Sequence, residues 1–233
     1  MMKTAVFHGV VLLAGLAVTS SRALCDSLIN GAFESGDPTG WTVFTTPNGT
    51  NGTIATWDGS DWSYKDCPYV SSFNVKGLGP QNAETFNVGE VSYTGVDFEG
   101  GGVRQDFTWG GGPSTLSFDW AVLGNTGYDN YGGGRFSLVL DGETLASHNS
   151  GYIVKGTTYR GSLSVDTTLT SGTHQFEILI ERAATYDAYY TPTQYVTNAS
   201  VTTSSSSTPE PSTLLLFGSG LLGLGRVVRR KRG

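Results

Sequence analysis

The sequence predicts an all-β protein built as an antiparallel sandwich, and three observations carry that expectation. Apolar residues alternate with a period of two and almost nowhere with a helical period: Leu116, Phe118, Trp120 and Val122 share one face, as do Phe136, Leu138 and Leu140, and again Phe176, Ile178 and Ile180. Turn chemistry separates these runs at short intervals, with Asp141-Gly142 following the run at 136–140 and Ser171-Gly172 preceding the run at 174–182. Of 233 residues, 33 are glycine and only 15% are charged, against roughly 25% charged in an average soluble domain. That composition suits turn-rich sheets and argues against helices laced with lysine and glutamate.

The N-terminal element is a signal helix over residues 1–23. Met1-Met2-Lys3 gives a short positive start, an apolar run follows, and Ser21-Arg22-Ala23 supplies a small-x-small cleavage site. The run has about 14 apolar residues, short of the ~20 that span a bilayer. An exported chain keeps Cys25 and Cys67, an even pair that an oxidising compartment joins most simply as one disulfide, the alternative being two free thiols. Closing that loop of about 43 residues contributes on the order of 4 kcal/mol in the chain-entropy picture.

Residues 24–203 form the predicted sandwich domain, and 204–208 a serine-rich spacer of extended, hydrophilic chain. Residues 209–233 then combine Pro209-Glu210-Pro211, an apolar segment at 214–228 and the basic stop Arg229, Arg230, Lys231 and Arg232. The apolar segment of ~15 residues makes a short hydrophobic helix of about 22 Å, against a hydrocarbon core of about 30 Å. The basic cluster stays on the cytoplasmic side. This three-part tail resembles the PEP-CTERM sorting signal of bacterial exopolysaccharide-associated proteins, the tripeptide matching residue for residue. The resemblance implies recognition by exosortase, transient residence in the inner membrane, cleavage near the tripeptide, and delivery to the cell envelope, surface or extracellular matrix. The alternative is a single-pass tail anchor.

Without signal and tail, the domain holds 7 basic and 19 acidic residues, a net charge of about −12. Nucleic acid and anionic membranes are excluded as partners, because no basic stripe exists to neutralise phosphates.

The start of the domain, Asn30-Gly31-Ala32-Phe33-Glu34 leading to Gly40-Trp41, resembles the opening of jelly-roll carbohydrate-binding modules. Residues 195–201 resemble their closing strand, with Thr197 where an aspartate is usual. The resemblance implies a jelly-roll sandwich, and it implies Glu34 as a ligand of a structural calcium, the one ligand that carries over.

For binding, the best candidates are Trp57, Asp58, Asp61, Trp62 and Tyr64, where a loop holds large rings that can stack on sugar faces beside carboxylates that can bind hydroxyls. The competing reading packs these rings over the sandwich edge, while Trp41 and Trp120 belong to the core. Tyr128-Asp129-Asn130-Tyr131 reads as a polar turn or a cation site. Catalysis finds little support, so the expectation is a non-enzyme that binds or embeds in exopolysaccharide. His148 and His174 stand apart with no metal-ligand spacing, nucleophile motifs are absent, and Glu177 and Glu181 alternate on the polar face of one strand. The alternatives are a structural surface protein without a ligand site and an extracellular glycan hydrolase. Three sequons, at Asn48, Asn51 and Asn198, read as surface loops.

Overall fold

The computed structural model describes residues 28–93, 97–124, 132–185, 187 and 190–204. The two expected terminal helices, Cys25, the sorting tripeptide and residues 128–131 lie outside the described residues. The regular structure is all strand: β1 (Thr42–Thr45), β2 (Gly49–Thr50), β3 (Thr53–Trp57), β4 (Trp62–Asp66), β5 (Tyr69–Phe73), β6 (Gln81–Phe86), β7 (Gly89–Glu90), β8 (Glu99–Leu123), β9 (Arg135–Leu140), β10 (Glu143–Asn149), β11 (Thr158–Arg182) and β12 (Thr193–Thr203).

One eight-stranded antiparallel sheet, ordered β10-β9-β11-β8-β12-β6-β5 with β1 beside β8, makes both layers of the sandwich. It does so because β8 and β11, each of 25 residues, pair along their whole length and bend together. Straight, each would measure about 80 Å, several times the radius of a domain this size. The bend falls where Gly110 pairs with Ser171, Gly112 with Leu169 and Gly172 with Trp109. Gly111 (φ 91°), Gly112 (φ 109°) and Gly172 (φ 146°) supply backbone conformations that L side chains rarely adopt. Ser171-Gly172 is therefore a corner and not the expected chain reversal: glycine on both strands at one level folds a paired ribbon while keeping its register, with only the Thr170 and Gly111 position unpaired in the ladder. Asp141-Gly142 does reverse the chain, at φ 51° and 81°, as a primed hairpin turn between β9 and β10.

On one side of the corner, β1 pairs with the first part of β8, while β9 pairs with the last part of β11 and carries β10. On the other, β12 pairs with 114–123 of β8 and carries β6 and β5. The alternating residues predicted to face inward all do so: Leu116, Phe118, Trp120 and Val122 from one layer meet Phe136, Leu138, Phe176, Ile178 and Ile180 from the other in a single buried cluster. Phe33 and Trp41, with ring centroids 5.8 Å apart, close this core from the N-terminal segment, and Trp41 meets Phe176 edge-on at 6.2 Å. This is the jelly-roll sandwich.

The glycines at 100–102 lie inside β8. A Cβ at Gly100 or Gly102 would collide with the carbonyls of Ile180 or Ile178. All three sequon asparagines have committed amide nitrogens: Asn48 donates to the Ser92 carbonyl (2.7 Å), the buried Asn51 to the Phe44 carbonyl (3.1 Å), and Asn198 to Asp119 (2.8 Å). An amide nitrogen committed in this way is not a surface acceptor for a glycan.

The two ends of the sandwich differ. At the corner end β12 finishes, and Ser204, assigned from sequence to the spacer, is still tied to the domain through its N–H to the Pro113 carbonyl (3.2 Å) and its hydroxyl to Thr115 (2.7 Å). At the opposite, open end the segment before β3 is held by the Asn87 N–H donating to the Asn51 carbonyl, and Asn87 reaches the carbonyls of Thr191 and Pro192.

Candidate functional site

From the open end rises a separate two-stranded ribbon, β3 paired with β4 in the register Thr53↔Asp66, Ala55↔Tyr64 and Trp57↔Trp62. Sequence alone places its rings in a loop; they stand on strands, because Thr53, Ile54, Thr56 and the aromatic residues favour extended chain and Asp58-Gly59-Ser60-Asp61 turns it. Partners directly opposite in an antiparallel pair share a face. One face thus carries Trp57, Trp62 and Tyr64 together, with Thr53 donating to Asp66 (3.1 Å) at its base.

These rings do not pack over the sandwich edge. Trp57 is 50% exposed, Trp62 41% and Tyr64 55%, whereas Trp41, Trp109 and Trp120 are all below 10%. The two tryptophan centroids lie 5.3 Å apart with planes at 50°, a tilted pair that stiffens the platform. Every residue of β4 is exposed, so the platform is open from above and along its length.

The carboxylates serve the ribbon first. Asp58 Oδ1 accepts from the Asp61 N–H, the Ser60 N–H and the Ser60 hydroxyl, each at 2.8 Å. Those donors, the Asp61 amide foremost, hold its carboxyl below the usual range. Asp61 Oδ1 accepts from the Trp62 N–H at 2.8 Å and so fixes the strand entry. The ribbon's one cation, Lys65, lies on the other face with Nζ 3.6 Å from the Tyr69 ring centre. Beyond β4, Cys67 is a free, partly buried thiol joined to Pro68 by a cis peptide. Burial, with Glu84 and Asp66 nearby, pushes that thiol up to about 12.

The structure does not build a calcium site on Glu34. Glu34 is exposed, the Phe33 carbonyl beside it is taken by the Asn82 amide (3.0 Å), and Thr197, standing where the aspartate would be, donates to the Asn82 carbonyl (2.8 Å). Among the described residues no three His, Cys, Asp or Glu side chains converge as a metal site. The residues around Glu34 do not fit the ion, because an amide and a hydroxyl already close the joint between the N-terminal segment and β12.

Glu177 and Glu181 share the polar face of β11, as alternation predicts. Glu181 is gripped by Arg135 through two contacts of 2.7 and 3.1 Å, and Glu177 lies opposite Arg104 across the ladder. Neither histidine stands in a site: His148 stacks on Trp120 at 4.8 Å, and His174 Nδ1 meets Asp141 at 2.7 Å.

A feature that sequence reasoning missed is a small cavity of about 160 Å³ at the open end, lined by Phe98, Asn149, Tyr152 and Arg182 among others. Its residues come from four distant segments and carry no local signal. It is about half the size at which ligand pockets begin. Among the described residues no helix is long and apolar enough to cross a membrane.

Residues 207–232 match the PEP-CTERM protein-sorting motif, which marks the chain for export and exosortase-mediated sorting to the surface. No curated protein matches the chain. Among solved structures it is similar to a family 61 carbohydrate-binding module solved with β-1,4-galactotriose, at 11% identity over 76% of this chain and 99% of that one, with a TM-score of 0.44. It is also similar to the xylan-binding family 22 domain from Paenibacillus barcinonensis Xyn10C, at 10% identity, 76% and 94% coverage and a TM-score of 0.35. A third is an arabinose-bound α-L-arabinofuranosidase, of which 26% is covered by 76% of this chain, at 15% identity and a TM-score of 0.39. These are likenesses of chain path.

Proposed function

We propose that this is a non-catalytic protein of the bacterial envelope or extracellular matrix, whose sandwich binds exopolysaccharide through the face of Trp57, Trp62 and Tyr64. The observation that supports it most is the exposure of two tryptophans and a tyrosine together on one face of the ribbon. Exposed indole costs solubility and adds nothing to the core, whereas it stacks on the C–H faces of pyranose rings. Exosortase is the processing partner, the tail is lost on sorting, and oxidation on export converts the free Cys67 thiol of the structure into a bridge to Cys25.

Affinity electrophoresis through polysaccharide-loaded gels tests the binding. Retardation of the exported protein that disappears in a Trp57→Ala/Trp62→Ala variant of unchanged Tm supports the reading, and retardation unchanged in that variant removes it. Mass spectrometry of envelope and medium fractions tests the rest. Ends near Leu24 and Pro209 and a Cys25–Cys67 peptide are expected, and an intact basic tail held in the inner membrane would replace the sorting account with that of a single-pass anchor.

A further inference from the structure

We infer that the aromatic ribbon selects against acidic polysaccharide, so that its ligand is an uncharged glycan chain; the inference rests on the binding role proposed above. Charge placed around a flat platform is what decides it. Trp57, Trp62 and Tyr64 offer stacking surface, which is indifferent to the charge of the sugar. What surrounds them is not indifferent. Asp58 and Asp61 sit at the turn beside the two indoles, and Asp66 sits at the base of the same face, in the register that pairs it with Thr53.

Recognition of a uronate, sulfate or phosphate group calls for a guanidinium or ammonium aimed at it. The ribbon supplies none on this face: it contains no arginine, and Lys65 is on the opposite side over the Tyr69 ring. Nor can Asp58 easily turn into a hydrogen-bond donor for an anion, since it accepts three hydrogen bonds that stabilise its ionised form. The domain as a whole, ribbon included, carries about −12, so the background has the same sign. An acidic chain lying across the indoles would bring its own charges beside Asp58 and Asp61, and one that runs on over Tyr64 would come to within a Debye length, about 8 Å in physiological salt, of Asp66, two residues further along the strand. A neutral chain meets no such opposition, and its hydroxyls can donate to the carboxylate oxygens that the turn leaves uncommitted.

The test compares the exported protein on gels or in calorimetry with a neutral galactan or β-glucan and with polygalacturonate, in low and high salt, with and without calcium. Expected is binding to a neutral chain that ignores salt, and binding to polygalacturonate weaker by about ten-fold or more in low salt. An Asp66→Asn variant, changed at the base of the face and not among the binding residues, should gain roughly two- to three-fold on polygalacturonate and change little on the neutral chain. Polygalacturonate bound as tightly as the neutral chain, with or without calcium, and lost in Trp57→Ala/Trp62→Ala, would overturn the selectivity while keeping the ribbon as the binding site. Failure of every chain of both classes to bind would overturn the binding role itself, and the selectivity with it.

Discussion

Trp120 of β8 lies nearly flat on Phe136 of β9, ring centroids 4.8 Å apart and planes 18° from parallel, and these two rings belong to opposite layers of the sandwich. The indole is accommodated because its neighbour across the ladder is Gly161, where a Cβ would run into the ring. His148 stacks on the same indole at 4.8 Å.

Removing either ring opens a cavity between layers that share their strands and cannot move apart independently. Trp120→Ala and Phe136→Ala should each destabilise by about 3–5 kcal/mol. The double variant should cost less than the sum, by about 1 kcal/mol of ring coupling. Urea unfolding of the four proteins measures it.

At the corner, Gly112 has φ 109°, and a Cβ added there would meet nothing within 4 Å, so Gly112→Ala isolates backbone strain. A loss of about 1–3 kcal/mol is expected. Gly132 has the same open space without the positive φ, and Gly132→Ala should be neutral or stabilising by up to about 1 kcal/mol. Equal effects at the two sites, read by thermal melts, would contradict the corner's need for glycine.

Glu84 is fully buried on β6 with neither carboxylate oxygen hydrogen-bonded. Burial, with the negative charge of Asp37 adding to it, pushes its carboxyl up from 4.5 to about 7. A raised acid favours the protonated fold: no penalty exists below pH 4.5, the penalty grows as pH rises, and it is complete above about 7. About 3 kcal/mol of stability should be lost across that window. In Glu84→Gln the loss should vanish, leaving the variant the more stable protein at pH 8 and not at pH 4, by denaturant titration at each pH.

His174 and Asp141 tie the β9–β10 turn to β11 near the corner. The Asp141 carboxylate raises the imidazole above 6.5, its burial opposing and the Thr170 carbonyl assisting. With Asp141 ionised, this pair stabilises fully between about pH 3.8 and 6.5; it stops doing so as pH rises through the folded value of His174 or falls through that of Asp141. Asp141 is half exposed, so the amount is below about 1 kcal/mol. Asp141→Asn preserves the turn, since asparagine tolerates the left-handed conformation. It should lower the His174 titration midpoint in a proton NMR series, and an unmoved midpoint would show that the pair is not formed in solution.

The strands are legible in the sequence wherever one face is apolar and the other polar, as at Phe136, Leu138 and Leu140, because burial on one side writes a period of two into the chain. The corner is not: Ser171-Gly172 has the local chemistry of a reversal, and only its alignment with Gly110, Gly111 and Gly112 on a distant strand turns it into a fold in a ribbon. The binding face is visible by residue type, and its rings do stand together. Its setting reads as a loop, because β4 is exposed on both sides and alternation leaves no mark there. Asp58, by residue type a candidate to hold a ligand, is occupied by its own turn, a competition that a short Asp-Gly-Ser sequence always holds.

The hydrogen bond from Ser204 to Pro113 fixes where the chain departs, and the ribbon begins at the other extremity of the sandwich. The paired run of 114–123 with β12 separates them by about 30 Å. A tether at the C-terminus therefore acts on the far pole from the indoles. Whatever restrains that tail, the ribbon that carries the aromatic face starts at the opposite end of the sandwich, and the hydrogen-bonded strands between them transmit the pull along their own axis.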